Sequence, residues 1–212
     1  MGKNYQGING NFSGKIGPTV GRVKNGRTIT AIYNPNVANP RTTKQTNNRL
    51  WFTKVVSTMR PFIGWAQAMC KSEFQYGTAW SNLLKLVFGS DAKGGSGSSP
   101  EVLINKVRIS KGGVVLPYSP SAVVDSGAVT VSWTDNSGEG TALATDVACI
   151  LAYNSAKAMT VFTVNGGNRE DRNATLTLPT SWSGDNVDFW CAFRREDNTE
   201  QSDSVYLGNF SI

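Results

Sequence analysis

Eleven lysines and arginines fall within the first seventy-two residues, and no acidic residue falls among them. They are Lys3, Lys15, Arg22, Lys24, Arg27, Arg41, Lys44, Arg49, Lys54, Arg60 and Lys71, and the first acid is Glu73. Residues 73–212 hold the other ten bases and all fifteen acids, so the formal charge of +6 divides into +11 and −5. Cations without internal counter-ions are neutralised by water, salt or a polyanion. Phosphate backbones are the commonest such polyanion. Tyr5, Phe12, Tyr33, Trp51 and Phe52 are interleaved with these cations, the mixture with which proteins stack bases and follow a single strand. The bland alternative is a solvated basic face, and Trp51 and Phe52, beside a helical stripe, read better as core. The candidate nucleic-acid-binding set is Lys3, Lys15, Arg22, Lys24, Arg27, Arg41, Lys44 and Arg49, with little preference for sequence.

Other chemistry has less support. The chain has no histidine, which removes Ser-His-Asp and Cys-His nucleophile activation and the usual general base near neutral pH. No catalytic residue, metal ligand or cofactor is assigned, and the expectation is a protein that is not an enzyme. Gly10-Asn11-Phe12-Ser13-Gly14-Lys15-Ile16-Gly17 invites comparison with a phosphate-binding loop, but it lacks the G-x-x-x-x-G-K-[ST] order and no helical pattern follows. Asp135-Asn136-Ser137-Gly138-Glu139-Gly140 alternates acids and amides as calcium loops do, without a remote bidentate Glu, and reads as a turn. Cys70, Cys149 and Cys191 form no C-x-x-C pair, so no zinc set arises. An inter-sheet bridge between Cys149 and Cys191 is the alternative to buried free thiols, which the absence of an apolar signal segment at the start favours.

The elements that must position the cations come next. Glycines at 7, 10, 14, 17, 21 and 26 are too closely spaced for a helix. Asn25-Gly26, between Gly21-Arg22-Val23-Lys24 and Arg27-Thr28-Ile29-Thr30, is a hairpin signal because both central positions need positive φ. It places the hairpin at 20–33, with Val23 and Ile29 expected on one face. Asn39-Pro40 reads as a helix start. Phe52, Val55, Val56, Met59 and Ile63 keep helical spacing, giving a helix over about 40–60 that Pro61 kinks or ends. A second helix is expected over 78–88, from Thr78 to Gly89.

Residues 89–100 are Gly- and Ser-rich and read as a flexible linker, dividing a basic part at 1–88 from residues 101–212. Beyond Pro100 the apolar period becomes two. Strands are expected over 102–109, 114–116, 129–133, 147–153, 160–164, 174–178, 187–193 and 205–210. The fold class is α+β, mainly β with a helical insert. An immunoglobulin- or fibronectin-like sandwich, or a jelly roll, follows a basic Gly-rich hairpin and two helices. No run of apolar residues is long enough to span a membrane.

Three segments together resemble a known family. Gly10 to Gly21 is similar to an opening G-x-F-S-G-K-[IV]-G-x-x-V-G. Asn39-Pro40-Arg41-Thr42-Thr43-Lys44-Gln45, with Arg49 and Phe52, resembles N-P-[KR]-T-x-x-Q-x-x-x-R-x-x-F. Val131 to Gly138 and Val205-Tyr206-Leu207-Gly208 are also similar. The chain is thereby identified as a member of a domain-of-unknown-function family of about two hundred residues, from Bacteroidota and their phages. The resemblance implies a lineage and an architecture and carries no activity. With the charge split, it leads to the expectation of a non-enzymatic structural protein of a phage particle, capsid or virion-associated. That protein would self-assemble as a homo-oligomer, contact nucleic acid through its amino-terminal part and meet other virion proteins. Its expected location is the virion, otherwise the cytoplasm. The alternative is a bacterial Ig-like binding or adhesion module whose basic segment contacts a membrane or a partner.

Overall fold

A computed structural model of the chain describes residues 3–4, 12–24, 27–36, 41–70 and 78–212. It is α+β, dominated by antiparallel strands. The chain divides into two compact units, Met1–Thr42 and Thr43–Ile212.

The described residues of the first unit include one antiparallel sheet. Its strands are β1 (Lys3–Asn4), β2 (Gly14–Ile16), β3 (Thr19–Lys24) and β4 (Arg27–Ile32), in the order β1-β4-β3-β2. The Asn25-Gly26 turn lies outside the described residues, but the strands it joins are paired as the hairpin requires. The register corrects one expectation. A two-residue connection pairs Lys24 with Arg27, and therefore Val23 with Thr28 and Arg22 with Ile29. Directly opposed residues share a face, so Val23 and Ile29 lie on opposite faces.

The second unit begins with helix α1 (Thr43–Met59); the expected start at Asn39-Pro40 lies outside the described residues. Pro61 lacks the donor an α-helix needs, and it sits in a 3-10 turn, Arg60–Phe62, that leads into α2 (Ile63–Met69). Helix α3 (Ala79–Phe88) starts where the Thr78 hydroxyl accepts from the Ser81 backbone N–H at 3.2 Å, and it ends at Gly89. Strands β5 (Lys93–Gly95), β6 (Pro100–Val102), β7 (Tyr118–Asp125), β8 (Ala128–Thr134), β9 (Val147–Asn154), β10 (Met159–Thr163), β11 (Asn173–Thr177), β12 (Asn186–Arg194) and β13 (Val205–Ser211) follow.

Strands β7 to β13 form two sheets, ordered β11-β8-β7 and β10-β9-β12-β13. The chain makes hairpins within a sheet and crosses between sheets at β8 to β9, β10 to β11 and β11 to β12. This is the Greek-key connectivity of immunoglobulin-type sandwiches, without the eighth strand of a jelly roll. Two stretches depart from the expected strands. Residues 102–109 contain a 3-10 turn at Ile104–Lys106, and Val114 makes only an isolated bridge to Ser202. Strand β7 is absent from the expected set because Ser119, Pro120 and Ser121 separate Tyr118 from Ala122, Val123 and Val124.

The four-stranded sheet is the middle layer. On β9, Ala148, Ile150 and Ala152 face the three-stranded sheet, while Cys149, Leu151 and Tyr153 face the helices. On β12, Val187, Phe189, Cys191 and Phe193 face the sheet, and Trp190 and Ala192 face the helices. Helical side chains complete the second core: Phe62 lies 4.9 Å from the Tyr153 ring centre and 5.9 Å from that of Trp190. Trp65 donates its indole N–H to the Ile109 carbonyl at 2.9 Å. This arrangement settles the thiols. Cys149 opposes Ala192 and Cys191 opposes Ile150 on adjacent strands of one sheet, with side chains in different cores, so no bridge can join them. Burial pushes the Cys149 thiol up to about 12.

The same packing moves the boundary expected at 89–100. Strands β5 and β6 pair as a short hairpin across that segment, and the hairpin lies against α1. Gly95 has a φ of 71°, and a Cβ there would collide with the Ser99 carbonyl oxygen, so this glycine serves the hairpin turn rather than flexibility. Helices and sandwich share a core, and the division between units falls after Thr42.

A buried ion pair ties the loops at one end of the sandwich. The fully buried Arg169 donates to Asp146 at 3.0 Å, to Asn136 at 2.5 Å and to the Val115 carbonyl at 2.9 Å. Its guanidinium stacks 3.9 Å from the Phe193 ring centre. Asp146 also accepts from Arg195 at 2.7 Å. Removing one member strands a buried charge, so Asp146→Ala is expected to destabilise the protein by about 3–5 kcal/mol. The paired change Arg169→Met with Asp146→Leu is expected to destabilise it less, both read from urea denaturation. The shared core gives a second expectation. A fragment of residues 43–212 unfolds cooperatively by circular dichroism, whereas residues 101–212, with Leu151, Tyr153 and Trp190 uncovered, are insoluble or lack a cooperative transition.

Candidate nucleic-acid interface

Alternation along the strands of the first unit sorts its side chains by charge. Lys15 opposes Val20, Val20 opposes Ala31, Arg22 opposes Ile29 and Lys24 opposes Arg27. Lys15, Arg22, Lys24 and Arg27 therefore stand on one face, together with Val20, Ile29 and Ala31. All four cations are exposed. The backbone of Lys3 occupies the register position opposite Ile29, the same row as Arg22. The other face holds Gly14, Ile16, Thr19, Gly21, Val23, Thr28, Thr30 and Ile32, with no charged residue.

The cations are graded along the hairpin. Arg22, Lys24 and Arg27 cluster toward its turn. Residues two apart on a strand lie roughly 6.5–7 Å apart, and cross-strand partners about 5 Å apart. That spacing approximates the separation of successive phosphates along a nucleic-acid strand. Lys15 sits toward the other end, its ammonium 3.9 Å from the Tyr33 ring centre. Tyr33 is itself exposed and is the one described aromatic next to these cations. Phe12 instead packs over the opposite face, where a Cβ on Gly21 would run into its ring. Tyr5 lies outside the described residues.

The remaining candidates lie outside the strands of this sheet. Arg41, with φ of 46°, precedes α1 at the end of the first unit. Lys44 and Arg49 belong to the second unit, both exposed on α1. Five residues apart, they point about 140° away from each other and form no stripe of their own. Of the aromatics on this helix, Trp51 is half-buried with its ring edge to Phe88 at 6.2 Å. Phe52 is 53% exposed and stacks on Phe88 at 5.5 Å. Phe52 is thus a surface residue, not the core position its spacing predicts.

The loops weighed as ligand sites take plain structural form. Gly14-Lys15-Ile16 is β2, and Gly17-Pro18 turns it into β3, so no helix amino-terminus faces a bound phosphate there. Gly10 and Asn11 lie outside the described residues. Asp135 accepts from the Ser137 backbone N–H at 2.9 Å and from its hydroxyl at 2.5 Å. Those bonds hold its carboxyl below the usual aspartate range, and they close the turn on itself. No helix of the described residues is long and apolar enough to cross a membrane.

Residues 11–208 match the model described as a Family of unknown function (DUF6266). No curated protein matches the chain.

Proposed function

Starting from a chain that belongs to this family of unknown function, we propose that it is a non-enzymatic structural protein of a phage particle whose first unit binds nucleic acid without sequence preference. The observation that carries the reading is the placement of charge. Residues 1–42 hold six bases and no acid, and residues 43–212 hold fifteen of each. The whole net charge of +6 therefore belongs to a unit of forty-two residues. Strand alternation gathers four of those six cations on one exposed face. A segment of this kind gains by exchanging its small counter-ions for a phosphate backbone.

The side chains available explain the expected lack of specificity. Base readout uses bidentate Arg, Asn or Gln set at fixed heights in a groove. Here the cations alternate with Val20, Ile29 and Ala31, which offer no hydrogen bonds to base edges. Contacts to phosphates position a protein without reading sequence. In the particle, the cationic sheet would lie against packaged nucleic acid, and the neutral immunoglobulin-type body would contact other copies and other virion proteins.

Fluorescence anisotropy with labelled duplexes of unrelated sequence tests this reading. If three or four cations each meet a phosphate, log K falls against log salt with a slope of about −3 to −4. The triple change Arg22→Ala, Lys24→Ala, Arg27→Ala is expected to flatten that slope by roughly 3 and to weaken binding equally for every duplex. Binding that ignores salt, or a triple variant that binds as the parent does, would sink the proposal.

A further inference from the structure

A strand at the end of a sheet turns every second N–H and C=O away from its neighbour, and such an edge is a template for another strand. In the antiparallel pair β8–β11, the Trp133 N–H donates to the Arg172 carbonyl at 3.0 Å and the Leu178 N–H to the Gly127 carbonyl at 2.8 Å. The backbone groups of Arg172, Ala174, Leu176 and Leu178 thus point at β8, and those of Asn173, Thr175 and Thr177 point away from it. Strand β11 ends its sheet, so these groups meet no strand among the described residues. Gly167 backs onto the Asn173 carbonyl, which leaves the exposed Thr175 and Thr177 as the open stretch. The other edges are blunted. Strand β7 carries Pro120, Ser119 with φ of 48° and a register shift. Strand β13 carries a register shift and Gly208 with φ of 128°. Strand β10 runs beside the turn Arg60–Phe62, where the Pro61 carbonyl accepts from the Thr160 hydroxyl at 2.8 Å. Strands β1, β2, β5 and β6 are two or three residues long. Strand β11 has five residues, with no charge, no proline and no register shift.

We propose that β11 pairs antiparallel with β11 of a second copy, joining two three-stranded sheets into one of six strands. The chemistry of the edge decides the occupant. Open N–H and C=O groups in strand register are matched by another strand with the same groups open, and β11 is the strand of this chain that offers them without interruption. The contact is isologous, and its two-fold axis passes through Leu176. Thr175 then opposes Thr177 of the partner subunit, and Thr177 opposes the partner subunit's Thr175. In this register the N–H and C=O of both threonines are bonded across the seam, and the β-branched side chains stand opposite one another on the outer face. Asn173 would oppose Pro179 of the partner subunit, which has no N–H to give, so the pairing stops where Gly167 already closes the edge. No ionisable side chain of Asn173–Thr177 enters the seam. So short a seam holds weakly between free molecules and more firmly where copies are held close together. The inference does not depend on what the cationic face of the first unit binds.

Sedimentation velocity of the full chain in nucleic-acid-free buffer, over rising protein concentration, tests the pairing. The parent is expected to shift from monomer toward dimer. The double change Thr175→Lys with Thr177→Lys sets like charges opposite one another across the seam and is expected to abolish the shift. The double change Thr175→Glu with Thr177→Glu is expected to abolish it as well. An equimolar mixture of the two variants should dimerise again, because each lysine then opposes a glutamate; this rescue also shows that both variants are folded. Val123→Lys, on the same outer face but at the β7 edge, should associate as the parent does. A parent that stays monomeric at every concentration, double variants that associate unchanged, or a mixture that remains monomeric overturns the proposal. Loss of salt-dependent duplex binding bears on the cationic face and leaves this result where it stands.

Discussion

A strand pair with apolar side chains on both faces cannot sit in a two-layer sandwich, because one side would remain against water. Strands β9 and β12 are such a pair. Their consecutive buried residues, Ala148 to Asn154 and Val187 to Phe193, commit the second unit to three layers. The three-stranded sheet covers one side, and α1, α2 and α3 cover the other. The segment from Val107 to Ser110 follows from the same demand: the indole N–H groups of Trp65 and Trp190 are buried, and the Ile109 and Val107 carbonyls accept from them. Buried donors of this kind need partners, so an irregular stretch is held in one course.

The sandwich closes at one end on charge rather than on apolar contact. Arg169 is anchored by its backbone in a 3-10 turn between β10 and β11, and its side chain reaches Asp146 and Asn136 in the loop from β8 to β9 and Val115 in the segment before β7. Desolvation pulls its pKa below the ordinary arginine value, and Asp146 opposes that shift. The Trp133 indole N–H donates to the Arg169 carbonyl at 2.8 Å, so side chain and backbone of one residue both serve the closure. A buried pair is weak testimony to net stability; its value here is geometric, since three loops must adopt one arrangement for all the bonds to form.

How much of this the sequence displays depends on the range of the interactions. The stripes Val55, Met59 and Leu83, Val87 show their helices because 3.6-residue periodicity is local. Pro61 shows the break, and the apolar runs at 147–153 and 187–193 show strands. Those runs also carry a sign of burial on both faces, since neither alternates with polar residues. The Gly/Ser stretch at 89–100 misleads because composition cannot distinguish a flexible glycine from Gly95, whose positive φ and close approach to the Ser99 backbone the β5–β6 hairpin requires. Strand β7 hides because Ser119, Pro120 and Ser121 interrupt its apolar pattern. Arg169 hides because its partners lie 23, 33 and 54 residues away. In the candidate interface, Lys15, Arg22, Lys24 and Arg27 were legible one by one. Their common face was not, since it depends on the register set by a turn two residues long.

That register also explains why so small a unit can concentrate so much charge. A sheet places side chains on two faces by parity, so cations at alternate positions leave every intervening position free of charge. Repulsion among Arg22, Lys24 and Arg27 opposes the folded sheet, and no acid within the unit offsets it. That repulsion falls wherever a polyanion displaces the small counter-ions of the charged face.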